Sequence, residues 1–146
     1  MRKSIEYPKR PIAGVGVVVF RNEEVLLVKR KKAPYKGQWS IPGGKQRLGE
    51  TVTQAARREL MEETGVEVNE LTLIDVIDIM VPDEEGEILY HYIVVDYRAY
   101  WMSGECSPGD DALDVQWFNL SKLGSISLLN KTRKIIFKAA GKPEST

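Results

Sequence analysis

Histidine and cysteine are nearly absent: the 146 residues hold one of each, His91 and Cys106. A lone cysteine excludes an intrachain disulfide and fits a reducing compartment. So few imidazoles and thiols leave a zinc site built on His and Cys without ligands, and leave nucleophile–histidine catalysis only His91 as its base. Charge of one sign is not in excess either. Lys+Arg and Asp+Glu number 21 each, for a net charge of zero, so no overall field draws the chain to nucleic acid or to a membrane surface. No apolar run approaches the roughly 20 residues of a transmembrane helix. The opening residues MRKSIEYPKRP carry charge with no apolar segment behind them, so no signal peptide is expected. The expectation is a cytoplasmic protein with neither nucleic acid nor membrane as partner, folded as a single domain over 1–146.

Alternation and turn residues divide the chain. Gly14 to Phe20 is β-branched and apolar and predicts a buried strand. Val25 to Lys29 returns after the turn Arg21–Glu24, which makes a hairpin. Trp39 to Gly44 reads as a short extended segment ending in a glycine turn. A helix is predicted from near Thr51, with Thr51 and Gln54 in capping-box spacing and Gly65 in the position of a C-terminal cap. Ile74–Val81, Ile88–Met102 and Val115–Phe118 predict further strands, separated by the turn Asp83–Gly86 and the polar loop Ser103–Ala112. Leu128, Leu129, Thr132, Ile135, Ile136 and Ala139 fall at helical spacing and predict a closing helix. Strand pairs followed by helices place the fold in the α/β class, with a mixed sheet between helices.

The most informative run is Gly44–Val66, GKQRLGETVTQAARRELMEETGV. At about 100° per residue, Glu63 falls within the apolar stripe of Val52, Ala56 and Leu60, whereas Glu62 turns away. An ionised carboxylate on a sheet-facing stripe is costly unless paired or metal-bound, and Glu59 and Glu63 repel at i,i+4 spacing. A hard divalent cation relieves both costs, and oxygen-only ligands point to Mg2+ or Mn2+. The glycines before the helix let the backbone approach a metal or phosphate closely. The competing reading is a solvated acidic face. Arg58 has two readings as well: an i,i+4 partner of Glu62, or a tie reaching back to Glu50 that holds the glycine loop on the helix.

Gly44–Val66 resembles the Nudix box, G-x5-E-x7-R-E-U-x-E-E-x-G-U with U apolar, at every defined position. The resemblance covers about residues 12–140. It implies a Nudix α/β/α sandwich and Mg2+-dependent hydrolysis, with Mn2+ as the alternative ion, of a diphosphate that links a nucleoside to another moiety. It also implies that Glu59, Glu62, Glu63 and the Gly43 carbonyl hold metal, with Glu62 or Glu63 taking the proton from water. Arg58 would orient the catalytic glutamates, with Glu50 as its salt-bridge partner. An acid outside the box serves in some members, and Glu105, Asp110 and Asp111 are the candidates here. Binding-only relatives tend to lose box acids. All are present here, which favours an enzyme over a nucleotide sensor.

Substrate signals lie outside the box. The Arg10–Gly16 start, His91, Gly104-Glu105, Gly109–Asp114, Trp117 and Ser127–Arg133 resemble a bacterial ADP-ribose pyrophosphatase-like branch. That implies cleavage of ADP-ribose to AMP and ribose 5-phosphate, with an oxidised nucleoside triphosphate such as 8-oxo-dGTP as the alternative substrate. Arg30, Gly44 and Asp111 are the expected substrate contacts. Arg30 is the pick from the run Lys29–Lys32, which otherwise reads as a solvated strand end. Trp39, Tyr35, Tyr92 and Trp117 are either base-stacking or core aromatics, and His91 is read as structural. Family members are often dimers, so the implied partners are a small nucleotide and a second copy of the chain.

Overall fold

The long apolar run of the first strand is explained by burial on both of its faces, where continuous hydrophobicity replaces alternation. In the computed structural model, which describes residues 5–143, β1 spans Ile12–Arg21 and β2 spans Glu24–Arg30. The glycine segment divides into β3 (Trp39–Ser40) and β4 (Gly43–Lys45). Next come α1 (Val52–Thr64), β5 (Glu67–Val68), β6 (Thr72–Pro82), β7 (Ile88–Ser103), β8 (Ala112–Asn119), a 3-10 segment (Leu120–Ser125) and α2 (Asn130–Ala140). β1 is the hub. It runs parallel to β7 from Ile12–Tyr92 to Phe20–Tyr100, and antiparallel to β4 and β2 on its other edge. β8 extends the sheet beyond β2, and β6 beyond β7.

Alternation along β1 sorts its side chains into two cores. Val15, Val17 and Val19 pack with Ala55, Ala56 and Leu60 of α1. Val18 and Phe20 pack with Ile135, Ile136 and Phe137 of α2. The result is the expected mixed sheet between helices, an α/β/α sandwich.

Caps fix the phase of α1, and hence where its acids point. The Thr51 hydroxyl accepts from Gln54 N at 3.1 Å, and the Gln54 side chain accepts from Thr51 N at 2.8 Å. Gly65 takes a left-handed φ of 76° and donates to Met61 O, a conformation that disfavours any residue with a Cβ.

Two short elements escape the sequence reading, β5 and the 3-10 segment. Leu128 and Leu129 precede α2 instead of joining it. Leu128 forms a bridge to Trp39, and Leu129 is the N-cap without a side-chain capping bond. Leu128 packs beside the second core, so its apolar character does not reflect helix periodicity.

Candidate active site

β4 brings the glycine turn against α1. Register pairs Gly16 with Gly43 and Val15 with Gly44. A Cβ on Gly43 would strike Val15 O, and one on Gly44 would strike the Glu59 carboxylate. These two glycines are therefore required by close approach. The backbone N–H of Gly43 donates to Glu63 Oε2 at 3.2 Å.

The three helix acids occupy distinct environments. Glu59 and Glu63 are half-buried and Glu62 is exposed, as the helical phase predicted. Burial pushes the Glu63 carboxyl up to about 8, opposed by the Gly43 N–H and reinforced by Glu59. Burial also raises Glu59, against the pull of Arg58.

Arg58 satisfies both of its sequence readings at once. Its Nε and Nη2 donate to the two oxygens of Glu50 at 2.6 and 2.9 Å. Its Nη1 donates to Glu59 at 2.7 Å and Glu62 at 3.2 Å, and Nη2 also reaches Lys45 O. This paired geometry matches the planar guanidinium. The Arg58 bonds, with help from Arg47 N, hold Glu50 down at about 2. One cation thus ties the glycine loop to the helix and bonds to three carboxylates.

Glu59, Glu62 and Glu63 offer only oxygen, and Glu63 is a half-buried acid with no ion pair among the described residues, which suits a hard metal. As the side chains stand, no three acidic, His or Cys groups converge on one point among the described residues, because Arg58 draws Glu59 and Glu62 to itself. The donor set fits. Occupancy would exchange part of the Arg58 contacts for metal contacts.

Arg30 donates Nε to Pro34 O at 2.7 Å, and its charge reaches Glu63. Asp111 also lies within electrostatic reach of Glu63, yet its carboxylate is exposed and pairs with Lys32 at 2.9 Å. The β7–β8 loop that carries Asp111 is stapled to the end of α1: Ser107 N donates to Thr64 O and Gly109 N to Glu63 O. Glu105 and Asp110 are exposed, and the Asp110 carbonyl accepts from Lys31. Trp39 is core, edge-on to Phe118 at 4.8 Å. Trp117 carries the Arg21 guanidinium at 4.2 Å. His91 lies 3.9 Å from Asp78, away from the acids of α1.

Sequence reasoning passed over Arg47, whose N–H binds Glu50 and whose guanidinium lies 3.6 Å from Glu62. It also passed over Asp96. The signal for Asp96 was available, since it interrupts the apolar run Ile93–Val95 of a strand.

The NUDIX domain model matches residues 10–139. This chain belongs to the Nudix family. As a Nudix hydrolase it acts on phosphorus-containing anhydrides, and its relatives span several substrates. It is 32% identical over 117 residues to an ADP-ribose pyrophosphatase of Methanocaldococcus jannaschii, covering 80% of this chain and 67% of the relative. It is 37% identical over 114 residues to an oxidized purine nucleoside triphosphate hydrolase of Danio rerio, covering 73% and 65%. The chain thus spans about two thirds of the length of each. Among solved structures, a MutT NUDIX hydrolase from Burkholderia pseudomallei superposes with a TM-score of 0.78 at 33% identity, covering 89% of this chain and 98% of that one. No helix among the described residues is long and apolar enough to cross a membrane.

The close approach of Gly44 to Glu59 yields an expected result. Gly44→Ala should displace the Glu59 carboxylate and weaken Mn2+ binding by about 10–100-fold, the range seen when the supports of a metal ligand are disturbed. Isothermal titration with Mn2+ measures it directly, and unchanged affinity would show that Glu59 is not a ligand.

Proposed function

We propose that this Nudix hydrolase cleaves ADP-ribose with water to AMP and ribose 5-phosphate in the cytoplasm, using Mg2+, or Mn2+ as the alternative. One observation supports the ADP-ribose assignment above others: the 32% identity to the M. jannaschii ADP-ribose pyrophosphatase across 80% of the chain. The assembled box supports the reaction. Glu59, Glu62, Glu63 and the Gly43 carbonyl would hold the metal. When bound, the ion neutralises diphosphate charge and lowers the pKa of water.

The protein's own groups do the rest. Arg58, locked by Glu50, sets the directions of Glu59 and Glu62. The Gly43 N–H sets that of Glu63. Glu62 or Glu63 takes the proton of the attacking water. Water oxygen joins one phosphorus, and the bridging oxygen leaves with the other phosphate. Arg30 and the backbone at Gly44 receive the diphosphate, and Asp111 borders it. The reaction then rests on positioning and electrostatics.

A second reading has its own support. The 37% identity to the Danio rerio enzyme favours an oxidised purine nucleoside triphosphate, cleaved to the monophosphate and pyrophosphate.

The deciding experiment is side-by-side turnover of ADP-ribose and 8-oxo-dGTP with Mg2+, then with EDTA. The expected outcome is AMP from ADP-ribose at the higher kcat/KM, abolished by EDTA. A higher kcat/KM for 8-oxo-dGTP would replace the first reading with the second. Tight nucleotide binding with no turnover on either would make the chain a sensor.

A further inference from the structure

Two of the acids stand where a helix least accepts them. Glu62 and Glu63 lie in the last turn of α1, which holds no basic residue. That end is the negative pole of the helix dipole, and its last four carbonyls have no partner within the helix. Helix ends fray. Yet the Glu63 carboxylate is held in one place, where the Gly43 N–H meets it at 3.2 Å.

The β7–β8 loop supplies what the turn lacks. Ser107 N donates to Thr64 O at 3.0 Å, and Gly109 N donates to Glu63 O at 2.9 Å. Pro108 between them has no N–H, so both amide donors of Ser107–Gly109 go to α1. The two backbones lie in close contact. A Cβ on Gly109 would strike Glu62 O and stand 3.2 Å from Glu63 Cα. Gly109 has no left-handed φ, so this contact alone calls for glycine. The outer side of the loop is gripped in turn. Lys31 donates to Asp110 O at 3.2 Å, and Lys32 pairs with Asp111 at 2.9 Å. A clamp thus runs from the end of β2, through the loop, to the backbone of Glu62 and Glu63.

We propose that Gly109 is a positioning residue for metal binding: its N–H and its bare Cα lock the last turn of α1, so that Glu62 and Glu63 stay aimed at the ion. This rests on the metal reading above. The coupling runs in both directions, because two linked equilibria in one molecule change each other by the same factor. If the closed loop favours the ion, the ion favours the closed loop to the same degree.

The test joins titration calorimetry with Mn2+ to hydrogen–deuterium exchange of the Ser107–Gly109 amides and thermal melts. In the wild type, saturating Mn2+ should slow exchange of those amides by about 10–100-fold, the range carried by the supports of a metal ligand. The Gly86 amide is the reference and should not change. It bonds to Asp83 O in the β6–β7 turn, at the other end of the 16-residue β7. Gly109→Ala should weaken Mn2+ binding by the same 10–100-fold. Gly86→Ala is the control for lost stability. Its φ of 87° strains any side chain, while nothing lies within 4 Å, so it should melt lower and bind Mn2+ as the wild type does. Wild-type exchange that ignores Mn2+ overturns the proposal, and that result needs no variant to fold. Wild-type affinity in Gly109→Ala overturns it too, as does equal weakening by Gly86→Ala. Glu63→Gln separates the two readings. If it leaves Mn2+ affinity unchanged, the metal assignment falls and the proposal falls with it. If it weakens binding while Gly109→Ala does not, only the role of Gly109 falls.

Discussion

Glu63→Gln should lower kcat by roughly 10^3-fold or more while leaving the fold intact. Losing a metal ligand forfeits several kcal/mol of transition-state stabilisation, and each 1.4 kcal/mol is about a factor of ten. The fold should survive because the amide oxygen can still accept the Gly43 N–H that now meets Glu63 Oε2. It also replaces a carboxyl whose ionised form is penalised by burial. Steady-state kinetics on the preferred substrate and a thermal melt together make the check. Near-normal turnover would remove Glu63 from the site. A collapsed melt would mean that its role is structural.

The metal-free protein should lose stability as pH rises from about 5 to 8, by several kcal/mol in order of magnitude. Two acids raised by burial set the sign. Glu63 sits at about 8 against an ordinary 4.5, and Asp96 at about 7 against 3.8. Between the ordinary and the raised values, the folded state holds protons that the unfolded state has released. The stability is therefore fully present below about 4 and is lost as pH climbs through 7 and 8. Glu50 acts on the opposite side. Arg58 holds it at about 2, so its contribution is present above the ordinary value of 4.5 and is lost as pH falls toward 2. The optimum without metal should lie near pH 5. Saturating Mg2+ should then raise the melting temperature more at pH 8 than at pH 6, because binding requires the ionised carboxylate. Melts across pH in EDTA and in Mg2+ decide it. A melting temperature that climbs steadily from pH 5 to 8 in EDTA would contradict the assignment.

Much of this site was readable in the chain. The helical phase placed Glu63 inward and Glu62 outward, because a capped 13-residue helix obeys its period closely. Arg58 was left with two partners on spacing alone, and the planar fork takes both. What escaped reading depends on distant contacts. β5 has two residues, too few to show a period, and it exists because Val68 meets Trp101 across β7. Leu128 imitated helix spacing because it packs beside the same core as α2, and Leu129 because it caps that helix. The staple from Ser107 and Gly109 to the end of α1 joins segments more than 40 residues apart, which no local pattern records. The pairing of Asp111 with Lys32 likewise depends on two loops meeting.

The even and odd residues of β1 face different helices, and this has an evolutionary consequence. Residues toward α1 surround the hydrolytic carboxylates. Those toward α2 join Ile135, Ile136 and Phe137 in the second core. Substitutions on opposite sides of a packed sheet share few partners, and such changes combine nearly additively. A lineage carrying this fold can repack the α2 layer while the α1 layer keeps its carboxylates in place. The sheet acts as a partition between an inherited chemistry and a negotiable packing.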